Sequence, residues 1–126
     1  MMTIPRHLAI GLAIALLSAC AAVSPERATL EESARRASNS ADHLAIAEQY
    51  EVLARRAAGL SLDYDARART QEYLDALGGS NRPSRQPSIF AFHWRMRAVS
   101  EAVEAEQAKA QAQLHRSMAQ SASGSR

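Results

Sequence analysis

At 126 residues the chain has room for one small domain and little more. Aromatic residues make up only 5% and 27 residues are alanine. A core of that composition buries little area per residue, which suits narrow, closely packed helices better than a globular enzyme with a deep pocket. The formal charge of +2, which falls to +1 if Arg6 leaves with a leader, carries no nucleic-acid footprint, and a single cysteine excludes an internal disulfide framework.

The chain opens on Arg6-His7, then the apolar run Leu8 to Leu16, then Leu17-Ser18-Ala19-Cys20. The run is about ten residues, the length of a secretory h-region, where a membrane-spanning helix needs about 20. The tetrapeptide resembles the bacterial lipobox: leucine, two small residues, cysteine. That resemblance implies that the Cys20 thiol accepts a diacylglyceryl group, that the Ala19–Cys20 bond is cut, and that the new amino group is usually acylated. Small side chains at 18 and 19 let extended backbone enter a peptidase site, and a thiolate is the nucleophile that takes the lipid. Residues 1–19 then read as a lipoprotein signal peptide and 20–24 as a lipidated tether. Ordinary cleavage that leaves Cys20 a bystander, and an uncleaved N-terminal anchor, are the alternatives. Two or more acyl chains hold a protein stably on a membrane, each buried methylene contributing roughly 0.8 kcal/mol. The position after the cysteine is Ala21 rather than aspartate. Under the position-two sorting rule this points to the outer membrane, on its periplasmic side.

Beyond the tether, Ser24-Pro25-Glu26 reads as a helix start: a serine cap, proline at the first helical position, an acid in the first turn. A short helix is expected over 25–38, with the thin stripe Leu30, Ala34, Ala37, Ala41 and Leu44. Ser38-Asn39-Ser40 interrupts it, because these side chains compete with the helical backbone. Ser40 is the expected cap of a second helix from about Ala41 to Leu77, roughly 55 Å long. Its stripe is Ile46, Tyr50, Leu53, Ala57, Leu60 and Tyr64, nearly opposite the first, so a bend at Asn39–Ser40 is favoured. Gly59 reads as a close approach of another helix or a local kink. Gly78-Gly79 ends the helix, with glycine free to take the left-handed cap conformation. The segment 78–88, with Pro83 and Pro87, is a loop by composition. A third helix, capped by Ser88, carries the stripe Ile89, Phe92, Met96, Val99, Val103, Ala110 and Leu114. It should fade near Ala119, leaving 120–126 as a disordered tail.

A short loop between long helices predicts antiparallel neighbours. The fold class is therefore all-α: an antiparallel two-helix hairpin over 40–119 with a short N-terminal helix, after a cleaved signal peptide. The two stripes align if Leu77 faces Ile89, Leu74 faces Phe92, Tyr64 faces Val103 and Leu53 faces Leu114. The short helix could fold back over part of the surface that two helices leave uncovered.

Ser40-Ala41-Asp42-His43, with Ala47 and Tyr50, resembles small, alanine-rich, functionally uncharacterised lipoproteins of proteobacteria, which often repeat a histidine at helix starts. The resemblance covers roughly residues 40–118. The second copy, around His93, has Ser100 where the first has Tyr50. A metal needs convergent ligands, and the hairpin places His43 and His93 at opposite ends, so no metal and no cofactor beyond the lipid is expected. His115 could approach the level of Tyr50–Leu53. Asp63, Asp65 and Asp75 read as solubility rather than acid–base pairs, and no nucleophile elbow or phosphate loop is present, so the chain reads as no enzyme. Arg82, Arg85, Arg95 and Arg97 form the one basic stretch, interleaved with Phe90, Phe92 and Trp94. With Phe92 assigned to the core stripe, Phe90 and Trp94 remain beside the arginines as a candidate contact surface. The bland reading has both aromatics covered by the loop or by a second copy. The partners expected are the membrane through the lipid, and an envelope protein or self-association, with no nucleic acid. The leading function is a non-enzymatic envelope lipoprotein of structural or protein-interaction role. The alternative is a periplasmic chaperone or stress-response module that binds clients on exposed helix surface.

Overall fold

The structure, a computed structural model, describes residues 24–78 and 89–124. Three helices account for nearly all of them: α1 (Pro25–Arg36), α2 (Ser40–Leu77) and α3 (Ile89–Ser123). Cys20, Arg82, Arg85 and the cap expected at Ser88 lie outside the described residues.

The helix boundaries follow local chemistry. The Ser24 hydroxyl accepts from the Arg27 N–H at 3.3 Å, Pro25 occupies the first turn, and Arg35 and Arg36 sit at the negative end of the helix dipole. The break before α2 falls where expected, but its cap is Asn39, whose side-chain oxygen accepts from the Asp42 N–H at 2.9 Å. The Asp42 carboxylate in turn accepts from the Ser38 N–H at 3.2 Å, which closes a reciprocal box around the bend. Gly78 ends α2 as expected, with φ −82° and its N–H donated to the Leu74 carbonyl at 3.0 Å; Gly79, where a left-handed cap would stand, lies outside the described residues. Gly59 lies in an uninterrupted helix with nothing within 4 Å of where a Cβ would stand, so it marks no close helix contact and no break in the helix. At the far end α3 continues to Ser123, past the expected fade at Ala119 and through most of the expected tail.

The hairpin is antiparallel, but its seam differs from the expected one. The buried residues of α3 are Ala91, Ala98, Ala105, Ala108, Ala112, His115 and Ala119. Five of these alanines are spaced seven apart, and Ala47, Ala54 and Ala68 of α2 fall on the same repeat with Ser61 between them. The Ser61 hydroxyl donates to the Ala98 carbonyl of the facing helix at 2.8 Å. A side chain this short reaches a partner's backbone only when the helices approach closely, which methyl-sized residues permit. This contact sets Ser61 level with Ala98. Steps of seven then set Ala54 level with Ala105, and Ala47 with Ala112. Ile89, Phe92, Met96, Val99, Val103 and Leu114, the expected stripe of α3, are all exposed, as is Leu60 on α2. Tyr64 meets Trp94 and Arg97 rather than Val103. The true register is displaced by about two helical turns, roughly 11 Å.

α1 folds back over the open half of the hairpin. Leu30 enters one cluster with Ile46, Tyr50, Leu53 and Ala54 of α2 and Ala108 and Ala112 of α3, flanked by Ala34 and Ala37. Ala41 and Leu44, assigned to the same stripe from sequence, fall beyond the bend and are exposed. Near its start, α1 pairs Glu26 with Arg56 and Arg27 with Gln107, and the Ser24 hydroxyl donates to the Glu104 carboxylate at 2.8 Å. α1 thus runs antiparallel to α2, from mid-hairpin at its N-terminus to the open end at its C-terminus. No helix among the described residues is long and apolar enough to cross a membrane.

Candidate functional site

Two clusters bring together side chains that could act on something outside the fold. The first stands on the tip half of the hairpin, on the face that also carries α1. Trp94 is half-buried and stacks on Tyr64, with ring centroids 5.6 Å apart at 15°. The Arg67 guanidinium lies over the Trp94 ring at 5.4 Å, and the Arg97 guanidinium over the Tyr64 ring at 5.1 Å. Arg97 also donates to the Tyr64 hydroxyl at 3.0 Å. Such stacking orders flat cations against aromatic faces, and Arg67 also donates its Nε–H to the Asp63 carboxylate at 2.9 Å. Phe90, one heptad before Arg97, is 65% exposed on the same side.

The sequence-based grouping is thus partly redrawn. Phe90, Trp94 and Arg97 do share a surface. Arg95 does not belong to it: it points to the other side and is held by the Glu72 carboxylate in a two-bond pair (2.9 and 2.8 Å), with Asp65 at 3.4 Å. The basic stretch, acid-free along the chain, is neutralised there by acids of the facing helix. Phe92, assigned to the core, is 59% exposed. Tyr64 and Arg67 complete the cluster and were not grouped with it from sequence. Their signal was the i, i+3 spacing that puts them on one helical face.

The second cluster lies near the open end. His115 is 4% exposed, its Nδ1 is 3.0 Å from the His43 Nδ1, and its ring stacks on Tyr50 at 5.8 Å. A nitrogen-to-nitrogen contact of this length needs one ring to donate and the other to accept. Burial, and then the neighbouring His43, push the His115 pKa below its ordinary 6.5. Burial and the nearby Glu31 raise the Tyr50 phenol above 10.0 despite Arg27. His93, the other histidine of the faint repeat, stands edge-on to Trp94 at 5.6 Å, well away from His43. Among the described residues no group of three or more metal-ligating side chains converges. The cavities beside α1 are open grooves; one is bounded by Pro25, Leu53, Leu60 and Glu101.

Comparisons with family models, with curated proteins and with solved structures returned no match to this chain.

Proposed function

We propose that the chain is a lipid-anchored envelope lipoprotein whose role is structural or interactive rather than enzymatic. The observation that carries this reading is Leu17-Ser18-Ala19-Cys20 at the end of a short apolar run that follows Arg6 and His7. Charge, length and box agree there, and each has a separate physical basis. The rest of the chain supports the reading through its shape. Alanine-seamed helices give a slender rod with open grooves and an aromatic–arginine surface, a form suited to contact with membranes or other proteins. Alanine at position 21 favours the outer membrane, facing the periplasm.

Replacing the thiol tests the anchor. Cys20→Ser is expected to move the protein from the membrane fraction to the soluble or precursor fraction, and to abolish incorporation of labelled palmitate. Membrane retention of the variant, with unchanged labelling of the parent at another site, would remove Cys20 as the anchor.

The exposed apolar side chains along both long helices, Leu62, Tyr73, Val99 and Val103 among them, favour a second reading as a periplasmic chaperone. Such a module would bind unfolded chains on that surface. It is expected to suppress aggregation of a denatured client at stoichiometric ratio; a client that aggregates at its normal rate would remove this reading.

A further inference from the structure

We infer that the tip half of the hairpin rests on the phospholipid surface that holds the lipid anchor, and that α1 determines which face meets it. The inference depends on the lipoprotein reading for Cys20. Given that reading, it follows from where the chain enters the fold.

The rod is set by α2, whose 38 residues span about 57 Å. Its point of attachment is not at an end. Glu26 pairs with Arg56 and Ser24 with Glu104, so the chain enters beside the middle of the hairpin. From Arg56 it is about 24 Å along α2 to Ser40 and about 32 Å to Leu77. The four residues from Cys20 to Ser24 reach at most about 14 Å even if fully extended. The anchor is therefore shorter than the distance to either end. The rod cannot stand clear of the bilayer on one end. It has to lie along the surface or dip one half into it.

Two features select the half and the face. α1 covers the open half on the side where the tether enters, and a helix is about 10 Å thick. With α1 between rod and bilayer, the open half is lifted and the tip half is lowered. Beyond Ser24 toward the tip, the same face carries Leu60, Arg67 and Leu74 on α2 and Phe90, Trp94 and Arg97 on α3. The spacing of seven places them there: Leu53 is in the α1 cluster and Leu60, Arg67 and Leu74 follow it, while Phe90 and Arg97 lead to Glu104, the partner of Ser24. Leu60, Leu74 and Phe90 are exposed, and Trp94 is half-buried. Exposed leucine and phenylalanine beside tryptophan, tyrosine and arginine is the composition that settles at the boundary of headgroups and acyl chains. Arg97 pairs with the Tyr64 hydroxyl and is placed to meet an anionic headgroup; Arg67 already shares Asp63 at 2.9 Å and contributes less. The open half carries Gln111, Gln113, Arg116, Ser117 and Gln120 along its last turns, interspersed with the exposed Leu114 and Met118, and it lacks the tryptophan–tyrosine–arginine stack of the tip half.

The full acylated protein can be tested in vesicles of phosphatidylethanolamine and phosphatidylglycerol with brominated acyl chains. Trp94 is the only tryptophan, so Trp94→Phe provides a silent background. In it, Phe90→Trp reports the proposed face and Val99→Trp, at 58% exposure and half a turn away around α3, the opposite one. The reporter at 90 is expected to be quenched several-fold more strongly than the one at 99, and more strongly with phosphatidylglycerol than without it. Circular dichroism confirms that each variant is folded, and the mass of the N-terminal peptide reports acylation. An acylated protein with equal, weak quenching at both positions overturns this inference and leaves the lipoprotein reading intact. An unmodified Cys20 overturns both. A reporter at 90 that is shielded from bromine but crosslinks to a second copy assigns the face to self-association and also overturns the inference.

Discussion

His115 shows how much one buried titratable side chain controls in a core made mostly of methyl groups. Its contact with His43 at 3.0 Å requires one imidazole to donate and the other to accept, and protonating both rings replaces that bond with like-charge repulsion. The sign of the pH effect follows. The folded pKa lies below 6.5, so between the two values the unfolded chain binds more protons than the folded one. The stabilisation is fully present above pH 6.5 and is lost as pH falls from 6.5 through the folded pKa. Urea midpoints measured from pH 7.5 down to 5.5 should decline, and His115→Gln should flatten that decline; an equally steep slope in the variant would place the titration elsewhere. Gly59 is the converse case, a residue with no contact to lose. Its open surroundings and ordinary φ mean that Gly59→Ala should stabilise the protein by about 1 kcal/mol, seen as a melting temperature higher by roughly 4–8 °C.

The alanine repeat of α3 places energy where size would not suggest it. Because Ser61 reaches the Ala98 carbonyl, the seam has no room for a longer side chain, and Ala105→Leu should cost about 1–3 kcal/mol through overpacking. Val103, two residues away, is exposed, so Val103→Ala should change stability by less than about 0.5 kcal/mol. Denaturant midpoints of the two variants decide between the seam described above and one built on the large apolar stripe, which requires the reverse order. The same contrast explains what the amino-acid sequence did and did not disclose. The starts of α1 and α2 were legible to within a residue, as was the end of α2, since Ser24-Pro25, the Ser38–Ser40 break and Gly78 act through local hydrogen bonding, whereas α3 runs past its expected end at Ala119. The α2 face was largely legible too, because Ile46, Tyr50 and Leu53 are both large and buried. The α3 face was not. Stripe reading ranks valine and phenylalanine above alanine, whereas close helix approach selects the smallest residue. The period of seven through Ala91, Ala98, Ala105, Ala112 and Ala119 was the available signal, diluted by alanines elsewhere. At the candidate site Phe90, Trp94 and Arg97 were legible by proximity along the chain, while the loss of Arg95 to Glu72 and Asp65 depended on the register.

At the scale of the whole molecule, α1 connects the anchor to the rod, and its hold is modest. It has 12 residues, too few to be stable alone, and Leu30 is its only buried side chain. Leu30→Ala removes most of the apolar contact that docks it, at a cost of roughly 2–4 kcal/mol. The hairpin does not depend on that contact, since its seam runs from Ala47 to Ala68 and from Ala91 to Ala119. The expected result is selective: hydrogen exchange should accelerate over residues 25–36 while the central turns of α2 and α3 stay protected. Undocking also changes the mechanics. With α1 released, the first fixed point of the chain shifts from the level of Arg56 to Asn39 at the open end, and the tether grows from 4 residues to almost 20. The rod could then stand away from the bilayer. A reporter at position 90 in the acylated Leu30→Ala protein should therefore lose its quenching by brominated lipid, even though the protein remains in the membrane fraction. Uniform acceleration of exchange across all three helices would instead make α1 part of a single cooperative unit, and the anchor's point of entry would then be as stable as the seam itself.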